Sequence, residues 1–442
     1  GFNLDHGTDF ATSVDGMPVN MRSHGHGQGY SDLNFLIPEL VEHIRYRKGN
    51  YKAQDGDFAN AGAADFELKN QGPELLQLSL GQHQYQRLLA SGSTSYDSAD
   101  WLNAVELQGY AGPWQGVDEQ VKKVNLVSRY STQQHDSAQQ LTFMLYDNSW
   151  NAADQIPQRA IDQGLIDRLG MIDPSSGGNS NRQSISGHWQ QQNFRASGYW
   201  IQSELQLWSN FSYFLNDPLK GDQFEQSDKR QLFGGEISKE LQLKLGSLDW
   251  SHQFGLQSRY DDIDQLGLSL TENRIQHQAV RMDQVQQQSW SVFHQQQLQL
   301  NPDWQAELGL RYDWMSAKVE SLLRQENSGR ASQGISSVKL GLRYQSDEAQ
   351  HWDFSVGQGM HSNDARGTTI TTDPVTGESA NAVPLWVRSE GAELGWRYLQ
   401  SKQWQISVAV WALQLDSELV YIGDAGGTEP NLSLIHISEP TR

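Results

Sequence analysis

The sequence predicts an all-β membrane protein, in which an incomplete antiparallel transmembrane β-barrel surrounds part of an N-terminal α+β plug domain. Three observations predict this fold class. Apolar and polar residues alternate along most of the chain, short connections alternate with long ones, and the first seventy residues lack the alternation. We therefore expect part of the plug at residues 1–70, barrel strands at 71–431 and a separate tail at 432–442.

The alternation is clearest in the segment "WQAELGLRYDW", which begins at Trp304. Successive side chains of a strand point to opposite faces, so Leu308, Tyr312 and Trp314 share one face. Glu307 and Arg311 lie on the other. Ten residues that rise about 3.3 Å each and tilt by about 45° span roughly 23 Å, close to the lipid-facing band of an outer-membrane strand with its aromatic girdles. The apolar face is predicted to meet lipid.

The pattern recurs in "SHQFGLQSRY" (251–260), "SSVKLGLRY" (336–344) and "GYWIQSELQLWSNFSYF" (198–214), where Tyr199, Ile201 and Leu205 are expected to face lipid. Further strands are predicted at 75–82, 120–130, 140–147, 288–300, 352–360, 389–399 and 403–415. Polar residues expected to face the lumen and to hold the plug through hydrated contacts are Glu204, Glu307, Arg311, Arg343, Glu393 and Arg397.

The connections between these strands alternate in length. Tight turns are predicted at 301–303, 346–349 and 401–403, and long polar connections at 148–182, which has a short helical stretch at 156–170, and at 262–281 and 362–385. Short periplasmic turns and long outer loops are typical of membrane barrels, whereas a soluble sandwich or propeller does not keep one apolar face with aromatic ends. We count about fifteen strands after residue 74, out of about 22 expected for a wide plugged barrel.

Composition excludes several classes of function. The formal net charge of -20 argues against nucleic-acid binding, which needs clustered Lys and Arg. Cysteine is absent, which excludes disulfides, thiolate zinc sites and a cysteine nucleophile. Mean hydropathy is -0.66, and no run of 18 apolar residues predicts a transmembrane helix.

Both ends of the sequence are unusual. The chain begins at Gly1-Phe2-Asn3 without a signal peptide, and "LSLIHISEPTR" (Leu432 to Arg442) resembles a translated sequencing adapter. We expect an internal start and an artefactual tail, so the barrel is predicted to be unfinished.

Several segments resemble the TonB-dependent outer-membrane receptors. "VDGMPVN" (14–20), "IPE" (37–39) and "RKG" (47–49) are similar to the latter half of the plug of that family. Residues 149–167, 209–226 and 386–430 are similar to pieces of its barrel, so the resemblance covers 1–431. The N-terminal box that such receptors present to their transducer and the last barrel strands are missing from this pattern, which suggests truncation at both ends.

The resemblance implies a function. Such receptors reside in the bacterial outer membrane and import a scarce ligand, such as a metal chelate, siderophore or cofactor, with energy from the periplasm-spanning TonB transducer. The resemblance implies no enzyme activity and no bound cofactor, and it implies contact with outer-membrane lipid and lipopolysaccharide. Two alternatives stay open: a passive porin-like channel, and a soluble β-rich glycan-binding protein or hydrolase.

The loop "MRSHGHGQGY" (21–30) is the candidate site. In the family's topology it rises towards the outer face of the plug, which implies ligand contact by Arg22, His24, His26, Gln28 and Tyr30. Glycines between these residues allow positive φ and close approach of a ligand to backbone N–H groups. His24 and His26 suggest a metal or metal-chelate contact, and the alternative is that they are hydrogen-bonded loop histidines. The basic stretch 43–49 is expected to pack against acidic residues of the barrel wall.

Overall fold

A computed structural model describes residues 7, 9–246, 248–400, 404–422 and 427–431. These residues form a four-stranded sheet, a fifteen-stranded sheet and a separate two-stranded hairpin. The adapter-like tail and the predicted turn at 401–403 lie outside the described residues.

The plug, defined here as residues 9–70, is built on the four-stranded sheet. Its strands are β1 (Phe10–Val14), β2 (Met17–Pro18), β3 (Val41–Lys48) and β4 (Gly62–Leu68), in the order β2-β1-β4-β3. Asp15 and Gly16 adopt φ of 48° and 70°, so an Asp-Gly turn joins β1 to β2. β1 pairs with β4 in parallel, and a 3-10 helix at Pro38–Leu40 precedes β3.

The wall, defined here as the fifteen-stranded sheet, is antiparallel, and each strand pairs with the next along the chain. Its strands are β5 (Leu75–Leu80), β6 (Gln86–Tyr96), β7 (Ala99–Tyr110), β8 (Val121–Gln134), β9 (Ser137–Asn151), β10 (Gly177–Gln191), β11 (Phe194–Ser209), β12 (Phe224–Leu245), β13 (Leu248–Glu272), β14 (Ile275–Gln299), β15 (Trp304–Ser321), β16 (Gly329–Asp347), β17 (Gln350–Ser362), β18 (Trp386–Gln400) and β19 (Trp404–Leu415). The count of fifteen confirms the prediction. β20 (Glu418–Ile422) and β21 (Gly427–Asn431) form the hairpin.

The predicted outward face of the wall is confirmed on three strands. Phe254 and Leu340 are 44% and 51% exposed, whereas Arg311, on the opposite face, is buried. Trp304 stacks on Tyr344 with ring centroids 4.5 Å apart, at the start of the outward face of β15. The sheet therefore turns its apolar side outward and its polar side towards the plug.

The predicted faces of β11 are wrong. Ile201 is fully buried and Leu205 is 5% exposed, and both point inward, towards the plug. Alternation then places Glu204 on the outer face, opposite Lys229, rather than in the lumen. The reason is that the plug has its own apolar surface. The apolar face of a wall strand can therefore pack against either lipid or the plug.

The predicted loop at 262–281 is also wrong. β13 and β14 each run for 25 residues and meet at a two-residue turn, in which Asn273 and Arg274 have φ of 50° and 65°. Their pairing shifts register between Ile263 and Leu266 and again farther out. The polar residues that suggested a loop belong to a two-stranded extension of the wall.

The other connections alternate in length as predicted. Two-residue turns lie at 97–98, 135–136, 192–193 and 348–349, and long connections lie at 111–120, 152–176, 210–223 and 363–385. The long ones carry two helices, α1 (Gln158–Asp162) and α2 (Ala365–Thr369), and a 3-10 helix spans Gln325–Asn327. Among the described residues, no helix is long and apolar enough to cross a membrane.

An apolar cluster joins the plug to the first half of the wall. The plug contributes Val14, Met17, Val19, Met21, Phe35, Leu36, Ile37, Leu40 and Leu68, and strands β6 to β12 contribute Leu89, Leu102, Ala104, Val127, Met144, Tyr146, Ile201 and Leu232. The prediction that hydrated contacts alone hold the plug is therefore wrong on this side. Since the plug contacts strands from β6 to β18, the sheet curves around it.

Candidate functional site

The loop of residues 21–30 closes on itself at the outer end of the plug. The Met21 N–H donates to Tyr30 O at 2.9 Å, and the Gly29 N–H donates to Met21 O at 2.8 Å. Gly27 and Gly29 have φ of 153° and 73°, as the glycine spacing predicted. Gly25 has a different role, because a Cβ at this position would lie 2.6 Å from Ser227 O of the wall.

Arg22 is buried between the plug and the wall. Its Nε donates to Asp57 Oδ2 at 2.8 Å, and its Nη1 donates to Ser289 Oγ at 2.8 Å. The guanidinium carbon also lies 5.8 Å from the ring centroid of Trp386. Arg22 thus joins two plug segments to two wall strands.

His24 is buried beneath the loop and stacks on Tyr30, with ring centroids 4.1 Å apart. Its Nδ1 accepts a hydrogen bond from the His26 N–H at 3.1 Å, and its Nε2 lies 3.7 Å from Asp228 Oδ2. Burial lowers the pKa of His24 to about 3, although the charge of Asp228 acts in the opposite direction. The ring is therefore neutral at ordinary pH.

His26 and Gln28 connect the loop to two different parts of the wall. His26 is partly exposed, and its Nδ1 lies 2.8 Å from Gln226 Oε1. Gln28 is buried, donates to Ser362 O at 2.6 Å and accepts from the Asp364 N–H at 3.3 Å. Ser362 and Asp364 lead into α2, so these hydrogen bonds link the connection between β17 and β18 to the loop.

Further contacts strengthen this tie. The Ala365 N–H donates to Ser23 Oγ at 2.8 Å, and Arg366 Nη2 donates to His24 O at 3.0 Å. Ala365 and Leu385 pack against the inner face of the wall, beside Trp386 of β18, in a second apolar cluster. The β17–β18 connection therefore folds inward onto the plug.

The five candidate residues share one loop but differ in accessibility. Arg22, His24 and Gln28 are buried by contacts with the wall, whereas His26 and Tyr30 are partly exposed. Ligand contact stays a prediction for all five. Within the described ranges, no group of three or more His, Cys, Asp or Glu is placed to hold a metal ion. Metal binding by His24 and His26 also stays a prediction.

Sequence reasoning missed a set of paired charges on the inner face of the wall. In each pair an arginine and an aspartate stand two residues apart, and the pairs are Asp228–Arg230, Arg259–Asp261, Arg281–Asp283, Arg311–Asp313 and, at α2, Asp364–Arg366. Residues two apart on a strand share a face, so the spacing was a usable signal. The role of the pairs could not be predicted, because the plug groups that four of these arginines contact lie between 207 and 342 residues away.

Four of these arginines also donate to backbone carbonyls of the plug. Arg259 Nη1 donates to Asn20 O at 3.0 Å, and Arg230 Nη2 donates to Ser23 O. Arg311 Nη1 donates to Ala53 O and Gln54 O, each at 3.2 Å. The fourth arginine is Arg366, which donates to His24 O. The buried Lys339 makes a similar contact, because its Nζ donates to Asn50 O at 2.6 Å.

The arginines of β6 and β8 are paired differently. Arg87 makes a two-pronged ion pair with Glu39 of the plug at 2.7 and 2.8 Å, and it also contacts Glu106. Arg129 Nη1 lies 2.6 Å from Asp15 Oδ2 of the plug. In this half of the wall, ion pairs cross directly between the wall and the plug.

A cavity of about 1020 Å³ lies between the plug sheet and the wall, near the two-residue turns. Ala138 and Trp189, which flank those turns, line it together with β1, β3 and β4.

The prediction that the basic stretch 43–49 packs against acidic wall residues is wrong. His43 Nε2 lies 2.6 Å from Glu67 Oε2, and Arg47 pairs with Asp55, both within the plug.

The family model described as TonB dependent receptor-like, beta-barrel matches residues 113–435. Three similar solved structures are the ferric citrate transporter FecA without ligand, the siderophore receptor PiuA from Acinetobacter baumannii, and the copper transporter OprC. Their identities are 11%, 12% and 11% with TM-scores of 0.76, 0.69 and 0.69. The matches cover 94%, 95% and 93% of this chain but 62%, 66% and 65% of theirs. The search of curated proteins found no match.

Proposed function

This chain belongs to the TonB-dependent receptors of the bacterial outer membrane, and from that premise we propose that it serves the energy-dependent uptake of a metal chelate. The similar structures are named for transport or reception of ferric citrate, a siderophore and copper, which favours this ligand class. The chain spans about two thirds of the length of those proteins, so the activity is proposed for the receptor as a whole.

One observation carries the proposal: the plug is folded inside the wall and fixed to it on both sides. Apolar contacts hold it to β6–β12, and polar contacts reach it from every strand between β12 and β18. A ligand can pass only if the plug moves, and movement against so many contacts needs work. The periplasm-spanning TonB transducer is the proposed source of that work.

The proposed ligand contacts are Arg22, His24, His26, Gln28 and Tyr30, in two roles. His26 and Tyr30, which are partly exposed, would meet the ligand directly. Arg22, His24 and Gln28 would hold the loop and report its position to the wall through Ser289, Asp228 and Ser362. The β17–β18 connection would then respond when the loop does.

A reversible lock on the plug tests the proposal. A Cβ built on Gly309 of β15 lies 3.0 Å from Ala53 Cβ of the plug, shorter than the roughly 3.5–4.5 Å across a disulfide, so a small shift of the plug loop admits the bridge. The 442 residues contain no other cysteine. We expect the Ala53→Cys/Gly309→Cys variant of the complete gene to bind ligand at the cell surface but to lose uptake when oxidised. Reduction is expected to restore uptake.

Each single cysteine variant is the matched control and should take up ligand under both conditions. Uptake by the oxidised double variant at the rate of the controls would contradict a moving plug. The alternative of a passive porin-like channel makes a separate prediction, because its flux would persist in cells without the transducer. Loss of uptake in those cells would exclude that alternative.

A further inference from the structure

The inner face of the wall contains arginines of two kinds. Arg87 and Arg129 pair with carboxylates of the plug. Arg230, Arg259 and Arg311 pair with aspartates on their own strands and turn their remaining N–H groups to plug carbonyls. Arginines of the first kind lie on strands β6 and β8, and those of the second kind lie on β12, β13 and β15. The type of arginine therefore changes from one side of the plug to the other.

We propose that Asp228, Asp261 and Asp313 are positioning residues for plug release. Each aspartate neutralises and aims one wall arginine, and Asp228 Oδ2 also accepts from the Gly25 N–H of the plug at 3.0 Å. The plug is therefore bound to these neutral pairs through hydrogen bonds with its backbone. The inference rests on the proposed function, because it concerns how the plug leaves the wall. It implies that the plug separates first from strands β12 to β15.

The geometry supports this role. Arg311 Nε lies 2.8 Å from Asp313 Oδ2 and Nη2 lies 2.6 Å from Asp313 Oδ1, which leaves Nη1 to donate to Ala53 O and Gln54 O. Arg259 has the same arrangement, with 2.7 and 2.8 Å to Asp261 and Nη1 on Asn20 O. A bidentate carboxylate fixes the guanidinium plane and thereby fixes the direction of the free N–H groups.

The charge balance explains why release is favoured here. When the plug moves away, water replaces carbonyl oxygens as acceptors, and each arginine keeps its aspartate. By contrast, withdrawal from Arg87 or Arg129 separates opposite charges that were largely buried, which is far more costly. One ion pair also crosses on this side, between Lys52 of the plug and Glu307 of β15, but both side chains are partly exposed, so its separation costs less. Nearby plug acids do not alter this balance, because Asp57 pairs with Arg22 and Asp55 with Arg47 inside the plug.

Thiol labelling in the purified protein tests the inference without ligand or transducer. Ala53 is fully buried against β15, so the Ala53→Cys variant reacts with a thiol reagent only when the plug moves away from the wall. In this background, Asp313→Asn leaves Arg311 buried without its counter-charge, and we expect labelling to be at least tenfold faster. The double variant Arg311→Gln/Asp313→Asn removes the unpaired charge and should bring the rate at least threefold back towards that of the parent.

The matched control is Asp353→Asn, which removes the partner of Arg343 on the same inner face and should change labelling by less than twofold. Labelling that is slower than the parent, or unchanged, in Asp313→Asn would overturn the inference. A double variant as fast as the single one would also overturn it, because aspartate would then act only through general stability. Circular dichroism and a heat-shift assay confirm that each variant is folded. Since the assay needs no transport, its failure is distinguishable from failure of the proposed function.

Discussion

The plug meets the two halves of the wall in different ways. Against β6–β12 it buries a continuous apolar cluster, reinforced by ion pairs at Arg87 and Arg129. Against β12–β18 it makes polar contacts, with at least one group from each strand. Apolar contacts lose their stabilisation when they are exposed to water, whereas polar groups exchange one partner for another. This difference underlies our proposal that one half retains the plug and the other half releases it.

The largest expected effect breaks the retaining side. Ile201 of β11 is fully buried against the plug cluster, so Ile201→Ala should lower the free energy of plug unfolding by about 3 kcal/mol. Hydrogen exchange at the amides of Leu40 and Val41, which donate to Ile37 O and Pro38 O, measures this as a loss of protection of roughly 100-fold. The matched control is Ile185→Ala on the outer face of β10, where Ile185 is 43% exposed, and it should leave plug protection within threefold. Equal effects of both substitutions would contradict the division of the wall.

A smaller effect is expected where the candidate loop touches the releasing side. An alanine at position 25 would place its Cβ 2.6 Å from Ser227 O, so the loop must move away from β12. We expect Gly25→Ala to cost about 2 kcal/mol of loop stability, read from hydrogen exchange at Met21 and Gly29. Gly92→Ala is the control, because a Cβ there meets nothing within 4 Å. A Gly25→Ala loop as protected as that of the natural protein would show that the close approach is unimportant.

The smallest expected effect, over the range from pH 7.5 to 5.5, is a pH dependence of the same loop. The pKa of His24 is about 3 in the closed loop against 6.5 when the loop opens, because burial outweighs the attraction of Asp228, and Arg230, Arg366 and His26 add to the lowering. The open state therefore takes up a proton first as pH falls. Closed-loop stability should be constant above pH 6.5 and fall by about 1.4 kcal/mol per pH unit below it, down to about pH 3. Protection factors at Gly29 between pH 7.5 and 5.5 measure this.

His24→Asn should remove the dependence while keeping a polar side chain beneath Tyr30. If the variant retains the slope, another group in contact with the loop is responsible. Either result concerns the releasing half of the wall, because the apolar cluster of the retaining half carries no group that titrates between pH 7.5 and 5.5.

Much of the fold could be predicted from period and spacing. The outward faces of Phe254, Leu308 and Leu340 followed from alternation, because lipid on one side and a polar lumen on the other make the two faces unequal. The same rule failed at Ile201, where both sides of the strand are apolar in part. It also failed at 262–281, because a strand that extends beyond lipid loses the apolar face by which it is recognised.

Less of the candidate site could be predicted. The glycines of the loop predicted a backbone with positive φ, and Gly27 and Gly29 adopt it. Partners such as Asp228 for His24 and Ser362 for Gln28 lie more than 200 residues away, and no local pattern links them. The alternate Arg and Asp residues on β12 to β15 were visible in the sequence, but the carbonyls that they address belong to a different sheet.

The inner wall also has a slot without side chains, and it bears on the order in which the protein assembles. Added Cβ atoms at Gly357 and Gly391 would lie 2.7 and 3.0 Å from Asn50 O and Oδ1, and one at Gly359 would lie 2.7 Å from Asn60 Oδ1. These glycines belong to two strands, β17 and β18, so the slot exists only after the strands have paired in register. During refolding, residues 50–60 should therefore become resistant to protease after β17 and β18 do, and never before.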